Sequence, residues 1–509
     1  MNKHPDQKTI NQMRIEKNKA QANLRNKQSS ENLNSTPKST LKNSTCEYET
    51  VEEEIRARNT IVTDQIRTIK SQLPGLLNRL SKIKDIRNPK KIKHKLTVLM
   101  IYGIFMFVFN VASRREADRE MTMPVFLQNL KQFFPEIEQL PHNDTLMRLL
   151  TGIKVDQIEE ALIACIQKLI RNKKFTRYLI DKHYPIAIDG TQKMVRDYIW
   201  SEECQERTVG KGNHKYKQYY VYVLEASLAF QNGMTIPFMS EFLSYTEGDT
   251  DRKKQDCETK AFKRLARRLK STFKRLPIML LLDGLYANGP VMEICCNNRW
   301  DNMIVLKDDS LSTVWKEYDA LQCLETENHF NMKWGNRNQS FTWVNDIGYD
   351  YDGNKTQPIH VVVCKETWEV VDKKSNEIVP KKSKHAWISN KPLNKRNIHE
   401  RCNLAARHRW NIESEILIQK HHGYQYEHCF SYNWNAITLR SHVKGYHFLM
   451  RIGLMLNVLV QYSECFINVI KTFGRRGIIK LIFETLKGPW LNADYVKKQL
   501  EKPLQLRLI

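Results

Sequence analysis

Three carboxylates in this chain have the type and spacing to hold a metal. Asp189 and Asp283 each close a short apolar strand, in YPIAIDG and in PIMLLLDGLY. Glu413 sits in a helical pattern, four residues after Arg409 and seven before Lys420. At 100° per residue, Glu413 is offset by about 40° from Arg409 and about 20° from Lys420, so the acid projects between two cations on one face. Glu415 falls on the opposite side. Hard divalent ions such as Mg²⁺ take oxygen ligands, and two of them roughly 3.5–4 Å apart clamp the attacking and leaving oxygens of an in-line phosphoryl displacement. The arrangement points to phosphodiester chemistry, with Arg409 and Lys420 meeting DNA phosphates. Singly, a strand-end Asp is an ordinary cap, and an Arg/Glu/Lys set is a surface ladder; their joint occurrence carries the reading.

Several elements must position these acids. Between Tyr184 and Asp308 the pattern reads β-β-β-α-β-α-β, and a sheet ordered three-two-one-four-five makes the strands of Asp189 and Asp283 neighbours. Gln231-Asn232-Gly233 is a hairpin turn signal, and Asn288-Gly289-Pro290 a helix start. The helix after Asp256 sets Lys260, Lys263, Arg264, Arg267, Lys270 and Lys274 against Phe262, Leu265, Ala266, Leu269 and Phe273. Lys263, Arg267 and Lys270 are its candidate DNA contacts.

Five segments follow from composition. Residues 1–48 read as a disordered basic arm, and 49–183 as a helical, DNA-binding region. Residues 184–319 form the first part of an α/β core, 320–392 a β-rich insertion with Trp334, Trp343, Trp368 and Trp387, and 393–509 a helical completion. Ile66, Ile69, Leu73, Leu76, Leu80 and Ile83 make a short coiled-coil-like seam, which Pro74-Gly75 is expected to split or kink.

Lys and Arg number 81 against 56 Asp and Glu, a formal charge of +25 that suits a polyanion, either nucleic acid or an anionic membrane. The 41% hydrophobic content excludes wholesale disorder, and a mean hydropathy of −0.56 argues against a polytopic membrane protein. Eleven scattered cysteines without a C-x-x-C read as reduced, intracellular thiols. No apolar run follows the basic N-terminal residues, so no secretory signal is expected. Leu96–Ala112, with basic flanks, could anchor the chain to a membrane; Tyr446–Ile470 is apolar but interrupted by Arg451, Asn457, Gln461 and Glu464. Both are expected to be buried helices.

AIDGT, LLLDGLYANGP and R-x3-E-x6-K together resemble the DDE-type transposases of bacterial insertion sequences, in the group with the Y-x2-R-x3-E-x6-K signature (the IS-four group). The resemblance spans roughly residues 140–470, with GYQYEHCFSYNW after Gly423 as a weaker part. Arg409, Glu413 and Lys420 fit the signature; its tyrosine position is Ala406. The resemblance implies a ribonuclease-H-like core binding two Mg²⁺ or Mn²⁺ ions through Asp189, Asp283 and Glu413. It implies hydrolysis at each transposon end, then attack of the freed 3′-hydroxyl on target DNA, by a homodimer on double-stranded DNA in the bacterial or archaeal cytoplasm, at the nucleoid. It also offers Trp334 and Trp343 as rings for stacking on a flipped base. A catalytically idle or domesticated DNA-binding relative is the alternative within that family.

Overall fold

The computed structural model describes residues 7–29, 46, 48–200, 204–243, 257–372, 377–428, 430 and 440–509. In chain order the helices begin with α1 (Gln7–Ser29), α2 (Val51–Leu80), α3 (Leu96–Val108), α4 (Arg114–Glu120), α5 (Pro124–Phe133), α6 (Asn143–Gly152) and α7 (Asp156–Arg171). Four strands follow, β1 (Tyr184–Arg196), β2 (Gln205–Val209), β3 (Tyr216–Ala229) and β4 (Thr235–Phe242), and then α8 (Glu258–Thr272). Next come β5 (Ile278–Leu282), α9 (Gly289–Asn298), β6 (Asp301–Val305), α10 (Ser312–Leu324), β7 (His329–Trp334), β8 (Arg337–Tyr351), β9 (Lys355–Val371) and β10 (Ile378–Ser389). The chain ends in α11 (Trp410–His421), α12 (Arg440–Gln461), α13 (Ile467–Lys487) and α14 (Ala493–Leu500). The class is mixed α/β, and every pairing described below is antiparallel except one.

The described residues divide into two compact units. The larger holds α2–α8, β1–β4 and α11–α14. In it β3 lies between β1 on one edge and β2 and β4 on the other, all antiparallel. The β3–β4 hairpin turns where the sequence signals it: Gly233 has φ +83°, and Asn232 Oδ1 accepts from Met234 N–H at 3.1 Å. Helices supply the core. Ile66, Ile69, Leu73, Leu76, Leu80 and Ile83 are all buried, each contributing about 1.5–3 kcal/mol of apolar transfer. α2 nonetheless runs unbroken through Pro74, because a buried stripe on both sides of the proline outweighs one lost backbone hydrogen bond.

Twelve of the 13 residues of α3 are buried, and it packs against α12. Thirteen residues fall short of the ~20 needed to cross a bilayer, and the segment is a buried helix, as expected. Among the described residues, only Val443–Gln461, within α12, is long and apolar enough to span, and 94% of it is buried in the fold.

The smaller unit comprises α1 and residues 277–407. Its strand order is β5-β6-β10-β9-β8-β7. β5 and β6 are parallel, and the remaining strands continue from β6 as an antiparallel meander. α9 starts as expected, with Asn288 Oδ1 accepting from Val291 N–H at 3.2 Å and Pro290 in the first turn.

Three expectations are corrected. The N-terminal arm is not wholly disordered: Gln7–Ser29 is helical, a stretch free of Gly and Pro and rich in Lys, Gln and Arg, all good helix formers. The rest of that arm, residues 1–6, 30–45 and 47, lies outside the described residues. β1 does not stop at Asp189 but continues to Arg196. Its polar second half pairs with β3, whose alternation conceals that extension, and β2 is an additional short strand on the far edge of β3. Part of GYQYEHCFSYNW (429 and 431–434) is also outside the described residues, as is Asp256.

Candidate active site

In the larger unit, Asp189 is the point where β1 emerges from the core. Residues 184–188 are buried, and Asp189 and Gly190 are half-buried. Asp189 Oδ1 accepts from the Gly190 N–H at 3.1 Å. Gly190 is required here by close approach, since Tyr222 Oη and Glu258 Oε1 occupy the space a Cβ would take. Tyr222 donates its hydroxyl to Glu258. Burial, then this bond, then the charges of Glu258 and Asp189 push the Tyr222 hydroxyl far above its ordinary pKa. The neighbourhood of Asp189 is therefore acidic, with a second carboxylate brought in by the first turn of α8.

Glu413 lies in the first turn of α11, where a negative charge meets the positive end of the helix dipole. Arg409 Nη2 donates to Glu413 Oε1 at 2.7 Å. This corrects the expectation that Arg409 meets DNA: it is 5% exposed, and its guanidinium lies 4.8 Å from the exposed Trp410 ring. The i,i+4 spacing read from sequence is real, but it makes a pair within the helix rather than two independent outward groups. Lys420 is likewise engaged, with Nζ 3.0 Å from Glu427 Oε1. Ala406, at the signature tyrosine position, is buried.

Glu415, on the opposite side of α11, is wholly interior. Its Oε1 accepts from Arg451 Nη1 at 3.1 Å, Gln419 Nε2 at 2.8 Å and Ser227 Oγ at 3.3 Å. Burial, only partly offset by Arg451, pushes its carboxyl up to about 6. Glu225, on β3 directly opposite Asp189 in register, is also interior. It accepts from Tyr426 Oη at 2.8 Å and Ser240 Oγ at 2.6 Å, with Arg451 Nη2 3.3 Å away. Lys193, further along β1, donates to the Tyr426 carbonyl at 2.7 Å, and burial pulls its ammonium down to about 7.

On α8, Lys263 and Arg267 are exposed and Lys270 is half-buried, while Phe262, Leu265, Ala266 and Leu269 are buried. Arg264 and Arg268 are held by Glu241 at 2.6 and 2.8 Å.

In the smaller unit, Asp283 follows β5 and caps a 3₁₀ turn, Gly284–Tyr286, its Oδ1 accepting from Leu285 N–H at 2.8 Å. It is half-buried. β5 and its parallel neighbour β6 present their carboxyl ends together, the usual ligand-binding edge of parallel strands. Lys307, just past β6, is exposed and lays its alkyl chain over Gly284. Trp343 is 3% exposed, so its ring is not available for stacking. Trp334 is half-buried, with the Arg407 guanidinium 5.4 Å from its ring.

Glu258, Tyr222, Lys307, Glu225, Lys193 and Arg451 were not singled out as site residues by spacing. Two carried a signal: Glu225 is the lone acid in VYVLEASLAF, and Arg451 the lone cation in FLMRIGLMLNV. A charge inside an apolar run marks a buried partner elsewhere.

The carboxyl groups of Asp189, Asp283 and Glu413 are hard oxygen donors of the kind Mg²⁺ and Mn²⁺ prefer. One oxygen of each accepts from a nearby N–H. As oxygen donors, the three residues suit the chemistry of a hard divalent ion.

Residues 77–166 match the family model DDE_Tnp_1-associated. The matched segment, less than a fifth of the chain, runs from the end of α2 into α7 and supports a DDE-type transposase family. No curated protein matches the sequence.

Proposed function

We propose that this chain is a metal-dependent DDE transposase of the insertion-sequence type, within the Y-R-E-K signature group. On this reading it binds transposon ends and joins them to target DNA, with Asp189, Asp283 and Glu413 as its catalytic acids in a ribonuclease-H-like core. The match of residues 77–166 to a transposase-associated domain carries the reading. The three carboxylates, the basic face of α8 and the charge of +25 accord with it.

Asp189, Asp283 and Glu413 would hold the cations. Two Mg²⁺ or Mn²⁺ ions supply polarisation of the scissile phosphate and a more acidic attacking water. Arg409 fixes Glu413 by holding Oε1, leaving Oε2 to the site. Lys263, Arg267, Lys270 and Lys420 would take DNA phosphates, and the exposed Lys307 would meet others. Trp334 is the remaining candidate for stacking on a displaced base. In the first step water forms a bond to phosphorus and the 3′-oxygen of the transposon end leaves. In the second, that 3′-hydroxyl attacks a target phosphorus and displaces a target 3′-oxygen. The helical region before β1 recognises the terminal repeats. A homodimer pairs the two ends, at the nucleoid in the cytoplasm.

The reading is tested by incubating the full chain with a donor plasmid carrying the DNA that flanks its coding region, plus a target plasmid and Mg²⁺. The expected products are joints at short inverted repeats bordered by a small direct duplication. Flanks without inverted repeats, and no joint products from wild-type protein, would overturn it.

A further inference from the structure

The acids Asp189 and Glu413 stand on different elements of the larger unit, β1 and α11, so something must fix one relative to the other. At Glu413 itself the bond is local, to Arg409 within the same helical segment. Underneath lies a frame of buried charges, and its centre is a residue of α12. Arg451 is 1% exposed. Its Nη1 donates to Glu415 Oε1 on α11 at 3.1 Å. Its Nη2 donates to the Ala226 carbonyl on β3 at 3.0 Å and lies 3.3 Å from Glu225 Oε2.

Both partners are next to an acid. Glu225 is directly opposite Asp189 in the β1–β3 register, and Glu415 is two residues from Glu413 on one helix. A second tie runs in parallel, from Lys193 Nζ to the carbonyl of Tyr426, whose hydroxyl donates to Glu225.

We propose that Arg451 is a positioning residue: its forked guanidinium joins β3, opposite Asp189, to Glu415 and so sets where α11 presents Glu413. This rests on the proposed function for what the acids do, but the tie itself is a statement about the fold. Three features favour positioning over mere stability. A buried ion pair is commonly no more stabilising than well-packed apolar residues of similar volume, so its use here needs another reason. Arginine rather than lysine is suited to two separated acceptors, because the guanidinium is planar and presents a rigid fork. The frame also links the acid-bearing strand pair and helix through three elements (α12, β3 and α11), where misplacement by about 1 Å can cost 100-fold in rate.

The test compares Arg451→Gln, Arg451→Lys and Glu415→Gln in the full chain. Glu415→Gln conserves volume and hydrogen bonding, so it remains informative should the Arg451 variants fail to fold. Two readouts are needed. Hydrogen exchange of the α11 amides should rise about tenfold or more relative to α7 in the same unit, a local loosening distinct from global unfolding. The Mn²⁺ concentration giving half-maximal nicking of a transposon-end plasmid should rise about 10–100-fold, as when a group supporting a metal ligand is lost. Arg451→Lys should recover part of both. Unchanged exchange in α11, or a rise spread evenly over α7 and α11, would overturn the positioning role, as would a lowered Tm with an unshifted Mn²⁺ midpoint. Absence of nicking by wild-type protein would instead defeat the proposed function, and the exchange measurement would still decide the tie.

Discussion

Each unit buries a charged centre, and the two are balanced in opposite ways. In the smaller unit Glu366 stands amid an excess of donors: Arg337 at 2.7 Å, Arg407, Gln339, Ser383 and His385. Burial alone would raise its carboxyl, but hydrogen bonds from His385 and Gln339 and the charges of Arg407 and Arg337 hold it down at about 2. In the larger unit two interior carboxylates, Glu225 and Glu415, share one guanidinium, and Glu415 is pushed up to about 6. Glu366 and Glu415, both shielded from water, thus differ in carboxyl pKa according to the cations and donors that reach each. The over-supplied centre fastens a β meander and sits under Trp334, Trp368 and Trp387. The under-supplied one lies beneath Asp189 and Glu413, where each bond to Arg451 is the more costly to lose.

Removing the shared cation should have the largest effect. Arg451→Gln leaves two interior carboxylates short of their partner and is expected to cost about 3–5 kcal/mol, read as a fall in Tm or in the denaturation midpoint. Arg337→Gln, with Arg407 and His385 still on Glu366, should cost clearly less. Equal losses would erase the contrast between the two centres.

The pH response should differ in sign. Glu366 has a folded pKa below its ordinary 4.5, so its stabilisation is complete above pH 4.5 and fades as pH falls toward 2. Glu415 has a folded pKa above 4.5, so stability falls as pH rises from 4.5 to 6. Thermal unfolding of Glu366→Gln should therefore lose less stability than wild type between pH 4.5 and 3, and that of Glu415→Gln less between pH 4.5 and 6. Matching pH profiles for both variants and wild type would contradict this.

Smallest are the hydroxyls at the edges. Ser227→Ala, which removes a 3.3 Å bond to Glu415, and Ser383→Ala, which removes a 3.1 Å bond to Glu366, should each cost roughly 0.5–1.5 kcal/mol. The first should also raise α11 exchange; the second should leave it alone.

What could be read from the chain follows from where each signal resides. The mixed α/β class, the apolar strand ending before Asp283, the Asn232-Gly233 turn and the Asn288 cap depend on local pattern, and each has its counterpart in the fold. The continuity of α2 through Pro74 depends on packing partners distant in sequence. So does the length of β1 beyond Asp189. Arg409 is the instructive case: its phase relative to Glu413 follows from spacing, but whether it faces solvent or its own helix depends on Trp410 and the surrounding core. The Arg451 frame joins residues hundreds of positions apart, such as Ala226 and Arg451, and only the isolated charges at 225 and 451 hinted at it.

The central proposal is that Asp189, Asp283 and Glu413 are the catalytic, metal-holding acids. It is tested most directly by single-turnover nicking of a transposon-end plasmid in Mg²⁺ and Mn²⁺ by wild type, Asp189→Asn, Asp283→Asn and Glu413→Gln. Each amide keeps shape and hydrogen bonding while removing the charge. The account predicts that all three lose about a thousandfold or more in rate and, because groups acting as a unit are non-additive, that the triple variant is scarcely worse than any single one. Undiminished nicking by Glu413→Gln, with the two aspartate variants inactive, would remove Glu413 from the set and contradict the account.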